Sequence, residues 1–283
     1  MQKSYIRGAA DIKRYENIQI MLKYMRRAVD DFDMLREGEP VAACVSGGKD
    51  SMTMLCTLEA LSHFHPKHFS VKALCIDAGF ENADFSPVVN LCNELEVPLK
   101  IVKTDIKQVV FDLRKEKCPC SLCSRMRHGA LHTAAKEMGC TTVALGHHLD
   151  DVIETFFINL INGGHIGCFK AKTFLDREGV TVIRPLIYTP EYLIKSFVRR
   201  EGIETCGKVC PEDGNTERER FKKLIASLSE NDRGLKDRIF GAIKRAGLLE
   251  QEMPCGESLK TDRDKAADPS PVSEKDGKNH EST

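Results

Sequence analysis

Between Val41 and Leu61 the chain passes from an apolar run, Val41-Ala-Ala-Cys-Val45, through Ser46-Gly-Gly-Lys-Asp-Ser51 into a helix-forming stretch, Met52 to Leu61. No other segment constrains the fold as much. A short apolar run ending in glycines suits a strand buried on both faces, and such strands belong to parallel sheets covered by helices. A strand–turn–helix junction leaves the first N–H groups of the helix free and points its positive dipole end at whatever occupies the turn. Gly47 and Gly48 let the backbone approach phosphate oxygens without a Cβ in the way. Ser46 and Ser51 add hydroxyl donors and Lys49 adds charge. The spacing is not the G-x-x-x-x-G-K-[ST] of a Walker A loop. An ordinary turn of small residues is the plainer alternative, and the flanking strand and helix favour a nucleotide phosphate.

The rest of the chain extends the pattern. Ile18, Met21, Leu22, Met25, Val29 and Phe32 recur at three- and four-residue steps, predicting an amphipathic N-terminal helix with Lys23, Arg26 and Arg27 on its other face. Strands are predicted at 69–76, 99–103, 141–145 and 180–183, and helices at 85–96, 126–138, 150–161 and 190–200. The expected fold is therefore α/β: a parallel five-stranded sheet with helices on both faces, an N-terminal helix and a C-terminal helical extension. The expected divisions are an N-terminal segment 1–38, an α/β domain 39–205, a basic helical region 206–250 and a disordered tail 251–283. The tail has almost no large apolar side chains to bury. Ligands of such sheets sit at the carboxyl ends of the strands. Ser46–Ser51, Asp77–Phe80 and Gly146-His-His-Leu-Asp-Asp151 all fall there.

Charge and cysteine usage narrow the chemistry. The formal balance of 42 basic against 42 acidic residues hides an acidic tail: from Gly247 onward there are five Lys/Arg and nine Asp/Glu. The preceding body is therefore basic, which suits a polyanionic partner as readily as a solvated helical face. The sequence shows no membrane-length apolar stretch and no secretory h-region, so a cytoplasmic protein is expected. Twelve cysteines in a reducing compartment point to metal or redox chemistry rather than disulfides. Cys44, Cys56, Cys75, Cys92 and Cys140 lie in apolar runs and read as core. Cys120 and Cys123 form a C-x-x-C pair ahead of Ser124-Arg-Met-Arg-His128, and Cys206 and Cys210 form the later cluster. No second C-x-x-C completes a zinc site of the usual kind.

The Ser46–Ser51 loop resembles the PP-loop of ATP pyrophosphatases, which split ATP between the α and β phosphates, and it implies a Rossmann-like sheet. Further runs are similar to the tRNA 2-thiocytidine biosynthesis (TtcA) family: Asp33-Met-Leu-Arg-Glu-Gly38, Cys120-Ser-Leu-Cys-Ser-Arg125, Ala144-Leu-Gly-His-His-Leu-Asp-Asp151, Glu154-Thr155, Asn159 with Gly163-Gly164, and Ile183-Arg-Pro-Leu186. The resemblance implies an ATP- and 4Fe–4S-dependent transferase that thiolates a cytidine of tRNA, at position 32, through an adenylated intermediate. Other PP-loop enzymes, a 2-thiouridine thiolase or a lysidine-type ligase, are the alternatives. Carried over by position, the cluster ligands are Cys120, Cys123 and Cys210; Cys206 competes with Cys210 because the downstream spacing departs from the family's C-x-x-C-G, and Cys118 is close enough to compete with Cys120, though the resemblance favours Cys120. Lys49, Asp50 and Asp151 are the candidate catalytic residues. Ser46, Gly47, Gly48, Lys49, Asp50, Ser51, Asp77, Gly146 and His147 are the candidate nucleotide site. Asp151 is a candidate ligand for Mg2+ on the ATP phosphates, and Asp150 reads as a helix cap as readily as a ligand. Arg125, Arg127, Lys170, Lys172, Arg199 and Arg200 are candidate contacts to tRNA phosphates. The implied partners are tRNA and a sulfur donor such as a cysteine desulfurase, with a homodimer possible.

Overall fold

The Ser46–Ser51 turn lies at the middle of a six-stranded sheet. A computed structural model describes residues 15, 17–115, 119–207, 209–212 and 217–250. The tail expected at 251–283 and Cys118 lie outside the described residues.

The amphipathic N-terminal pattern forms α1 (Ile18–Asp31), burying Ile18, Met21, Leu22, Met25 and Val29. Strands and helices then alternate: β1 (Pro40–Cys44), α2 (Lys49–Ser62), β2 (Ser70–Asp77), α3 (Ser86–Glu94), β3 (Leu99–Lys103), a π-helical stretch Gln108–Leu113, α4 (Pro119–Glu137), β4 (Thr142–Ala144) and α5 (Leu149–Ile161). A hairpin of β5 (Lys172–Leu175) and β6 (Val180–Ile183) follows, then α6 (Glu191–Glu201), α7 (Glu217–Ser229) and α8 (Leu235–Arg245).

The strand order is β3-β2-β1-β4-β6-β5. The first five named are parallel, and β5 pairs antiparallel with β6, Lys172 opposite Ile183. The sheet thus has six strands, not the five expected. The additional strand is a four-residue edge piece returned by the turn at Gly179, whose φ of +62° and N–H donated to Leu175 O at 2.8 Å close the hairpin. It ends the sheet with a short edge strand. Helix α4 also begins earlier than predicted. Pro119 serves as its opening residue, since the missing proline N–H is no loss in a first turn, so Cys120 and Cys123 ride on the helix rather than on a loop.

The chain lays β1, β2 and β3 outward on one side, then returns to place β4 on the other side of β1. The order reverses between β1 and β4, and a crevice opens there at the carboxyl ends. Helix α2 fills the central position and is buried nearly all round, from Ser51 to Leu61. It belongs to one apolar core that also takes in α1, α3, α5, α6 and α8. A second core packs α4 against the other face of β1, β2, β4 and β6 through Leu131, Ala134 and Ala135.

Candidate active site

Two loops meet at the reversal. After β1, Gly47 adopts φ +81° and Gly48 caps α2 from extended backbone with no side-chain cap, so the first N–H groups of α2 face the crevice unshared. The turn is braced from inside. Ser51 Oγ accepts the Ser46 N–H at 3.1 Å, donates to Gly48 O at 3.0 Å and lies 3.2 Å from Ser46 Oγ. From β4 comes Gly146, packed so closely on the α2 terminus that a Cβ there would stand 3.1 Å from Ser51 N and 3.2 Å from the Asp50 carbonyl carbon. Glycine is what lets the second loop reach the first.

Lys49 Nζ sits 2.9 Å from Asp50 Oδ2 and 3.1 Å from Glu191 Oε1. Burial works against its charge, but Asp50 and Glu191 outweigh it and hold the ammonium above its ordinary range. The other oxygen of Asp50, Oδ1, is buried without a hydrogen-bond partner, with His148 Nε2 3.5 Å away. His148 opens α5 in a capping box: Asp151 Oδ2 accepts the His148 N–H at 2.9 Å. Asp151 Oδ1 accepts from Arg218 Nη1 of α7 at 3.2 Å. Burial raises the Asp151 carboxyl, but His148 and Arg218 overcome it and the group titrates below its usual range. Asp150 caps a helix, though not its own: Oδ2 accepts the Glu191 N–H at 2.7 Å at the start of α6, and Oδ1 binds Lys236 of α8 at 2.6 Å.

His147 stacks against Phe169, ring centres 5.0 Å apart, and its Nδ1 is unpartnered. Burial, with Arg184 nearby, pushes it down to about 3, so the ring is neutral. The Arg184 guanidinium lies 4.9 Å from the Phe169 ring centre and donates to Lys170 O at 2.6 Å. Asp77 ends β2 and accepts the Gly79 N–H at 2.9 Å, shaping the turn at the crevice rim.

The cysteines divide into separate environments. Cys44, Cys56, Cys75, Cys92 and Cys140 are buried, as expected of core thiols. Cys120 is exposed and Cys123 half-buried, three residues apart on the first turns of α4 and so on one face. The Cys120 thiol is pushed up by partial burial and then by neighbouring Cys210, Glu212 and Cys123. Cys206 stands elsewhere. Its N–H donates to Gly47 O at 2.9 Å, and its Sγ occupies the space a Cβ on Gly47 would need, 2.2 Å away. Cys206 and Cys210 are four residues apart, so the PP-loop contact and the thiol group lie within about 14 Å of chain. Among the described residues no three Cys, His, Asp or Glu side chains are already gathered at metal-binding spacing. The donor set of three thiols nevertheless suits a soft thiophilic metal group.

Of the candidate tRNA contacts, Arg125, Arg199 and Arg200 are exposed. Lys172 is engaged by Asp33, and Arg200 bonds Asn17 at the end of α6 remote from Glu191. The sequence reading missed Glu191, Arg218, Lys222 and Lys236. A Pro-Glu pair opening a helix was the one local hint for Glu191, and nothing local marked the rest.

Comparison with known proteins agrees with this geometry. Residues 16–227 match the PP-loop domain family model. The tRNA-cytidine(32) 2-sulfurtransferase of Syntrophotalea carbinolica is 33% identical over 78% of this chain and 86% of its own length. The enzyme of that name from Ralstonia pickettii is 36% identical over 77% and 70%. Among solved structures, the U34-tRNA thiolase NcsA of Methanococcus maripaludis, determined with its [4Fe-4S] cluster, superposes with a TM-score of 0.69 and 25% identity, covering 84% of this chain and 81% of that one. The chain belongs to the PP-loop domain family and, within it, to the tRNA-cytidine(32) 2-sulfurtransferases.

Proposed function

We propose that this protein converts cytidine 32 of tRNA to 2-thiocytidine, spending ATP to activate the base and using a 4Fe–4S cluster on Cys120, Cys123 and Cys210. The observation that carries the reading is the short segment from Cys206 to Cys210, which ties the PP-loop at Gly47 to the thiol group around Cys120. An activation site and a sulfur site within one chain span is what thiolation of an adenylated base requires.

ATP lies on Ser46–Ser51, with its phosphates on the free N–H groups of α2 and on Lys49. Asp50, whose Oδ1 is buried and unpartnered, and Asp151 would hold Mg2+, a hard cation that selects carboxylate oxygen. The cytidine O2 attacks the α-phosphorus, the bond to the bridging oxygen breaks, and pyrophosphate leaves. Lys49 and the α2 dipole stabilise the charge growing on that leaving group from positions fixed beforehand. His147, neutral at physiological pH, offers an uncharged ring at the loop and does not repel the adenine nucleotide or Mg2+. When bound, a cluster on these three thiols would supply sulfur to the activated base in place of O2, with AMP as the leaving group. Cys120, Cys123 and Cys210 would hold it as thiolates, the form a coordinating thiol takes beside a metal charge. A cysteine desulfurase would deliver the sulfur. No helix among the described residues is long and apolar enough to cross a membrane. We place the protein in the cytoplasm, where its tRNA substrate resides and thiols stay reduced.

The test is anaerobic purification with iron and sulfide analysis, followed by incubation with ATP, a sulfur source and tRNA and nucleoside analysis of the product. Iron-dependent 2-thiocytidine with AMP and pyrophosphate is expected. A colourless, zinc-loaded protein, or 2-thiouridine as the product, would overturn the assignment.

A further inference from the structure

Glu191 is buried, 6% exposed, yet three lysines from three helices converge on it. Oε1 accepts from Lys222 of α7 at 2.8 Å and lies 3.1 Å from Lys49 of α2. Oε2 accepts from Lys195, one turn along α6, at 3.0 Å. The backbone of Glu191 is fixed as well, because its N–H is anchored on Asp150. Although burial pushes it up, Lys222, Lys195 and Lys49 hold the Glu191 carboxyl far below the usual range, so it is ionised.

The charges do not balance. Three ammonium groups on one carboxylate leave two positive charges over; Asp50 beside Lys49 removes one of them, and Glu154, which also faces Lys222, is pushed up to about 7 and so is only partly charged. A structural ion pair needs a single lysine, and bringing like charges together in a partly buried place is unfavourable. Lys49 and Lys222 share the same oxygen, so their nitrogens are no more than about 6 Å apart, a span bridged by adjacent phosphates of a polyphosphate. Lys195 differs: it meets the other oxygen from within α6, with its side chain 55% exposed. One turn before Lys222 on α7, Arg218 reaches Asp151 and Thr155, so the helix lays its cationic side along the loop region.

We propose that Lys222 is a second phosphate-binding residue of the ATP site, acting with Lys49 on the β- and γ-phosphates, with Glu191 as the acceptor both release when the nucleotide arrives. The inference rests on ATP occupying the Ser46–Ser51 loop. It assigns a binding role to the C-terminal helix α7, outside the strand–helix alternation that forms the nucleotide fold.

Calorimetric titration of the full chain with Mg2+ and α,β-methylene-ATP, with pyrophosphate, and with AMP tests it, for the wild type and for Lys222→Ala, Lys222→Arg and Lys195→Ala. Lys222→Ala should weaken the ATP analogue and pyrophosphate tenfold or more and leave AMP within twofold. Lys222→Arg should recover most of the loss, and Lys195→Ala should change neither by more than twofold. Equal binding by Lys222→Ala and wild type would overturn the inference. So would equal losses for AMP and the analogue, or for Lys195→Ala and Lys222→Ala, since those report general electrostatics or packing. A wild type that binds neither the analogue nor pyrophosphate would instead overturn the ATP reading beneath it. Thermal melts of each variant separate unfolding from lost binding, and the AMP titration supplies an internal check that the site is intact.

Discussion

Glu154 lies on α5 one turn beyond Asp151, 5% exposed, and its carboxyl is pushed up from 4.5 to about 7. Burial is the main cause and neighbouring Asp151 the next, with Asp150 adding to them; Arg218 and Lys222 of α7 pull the other way and lose. Arg218 Nε is 3.9 Å from Glu154 Oε2, too long to offset the desolvation. A folded pKa above the unfolded one means the native state holds its proton more tightly. Stability from this group is full below about 4.5 and is lost as pH rises through about 7. At about 1.4 kcal/mol per pH unit, the ionised group costs about 3 kcal/mol above that window. Glu154→Gln keeps the shape and removes the titration. Urea unfolding of both proteins from pH 5 to 9 should show the variant gaining on the wild type by up to about 1.4 kcal/mol per pH unit between 5 and 7, then holding a constant advantage. Taking the difference cancels the other titrating groups, provided they are independent. A difference that stays flat across the range would refute the reasoning, because it would mean that Glu154 ionises as freely when folded as unfolded.

Replacement of Cys120, Cys123 or Cys210 by Ser should lower the iron content of anaerobically purified protein and abolish thiolation while MgATP binding stays within twofold. Cys206→Ser, altering a side chain packed on Gly47, should leave iron content unchanged. Gly146→Ala sets a Cβ tightly against the backbone of Asp50 and Ser51, which must shift by a few tenths of an ångström; it should lower stability by about 1–3 kcal/mol and weaken ATP binding, read by thermal melts and calorimetry. Gly47→Ala combines a left-handed backbone at φ +81° with a collision against Cys206, and Cys206→Gly in the same chain should restore part of the lost melting temperature but not all of it.

What could be read from the sequence was whatever is encoded within a few residues. The apolar run 41–45, the glycine turn and the helix after it appear as β1, the loop and α2, because a buried strand and an anion-binding turn are local patterns. The periodicity of Ile18 to Phe32 was equally local. Strand β5 was missed because Lys-Thr-Phe-Leu carries no signal apart from its partner β6. The start of α4 was missed because cysteines and serines suggest a loop until Pro119 is seen as an opening residue. Asp150 reads as a cap of the helix it opens, yet the helix it caps begins 41 residues later, a relation that only the folded chain creates. The same holds for Glu191, whose lysines come from positions 49, 195 and 222.

These long-range pairs change what the C-terminal helices are for. Helix α6 supplies Glu191, α7 supplies Arg218 and Lys222, and α8 supplies Lys236 to Asp150. Each polar contact is made to the α2 terminus, to the start of α5, or to a residue that touches one of them. A bare strand–helix sheet would leave Asp50, Asp150 and Asp151 as three carboxylates crowded at one reversal, repelling one another and any phosphate. The cations of α7 and α8 neutralise Asp150 and Asp151, so that Lys49 and the α2 dipole set the sign of the field at the loop proposed to hold the polyphosphate. The connection from α6 to α7 also carries Cys206 onto Gly47 and Cys210 to Cys120. The helices after the sheet therefore balance the charges around the PP-loop, and the segment joining them sets Cys206 against it with Cys210 four residues on.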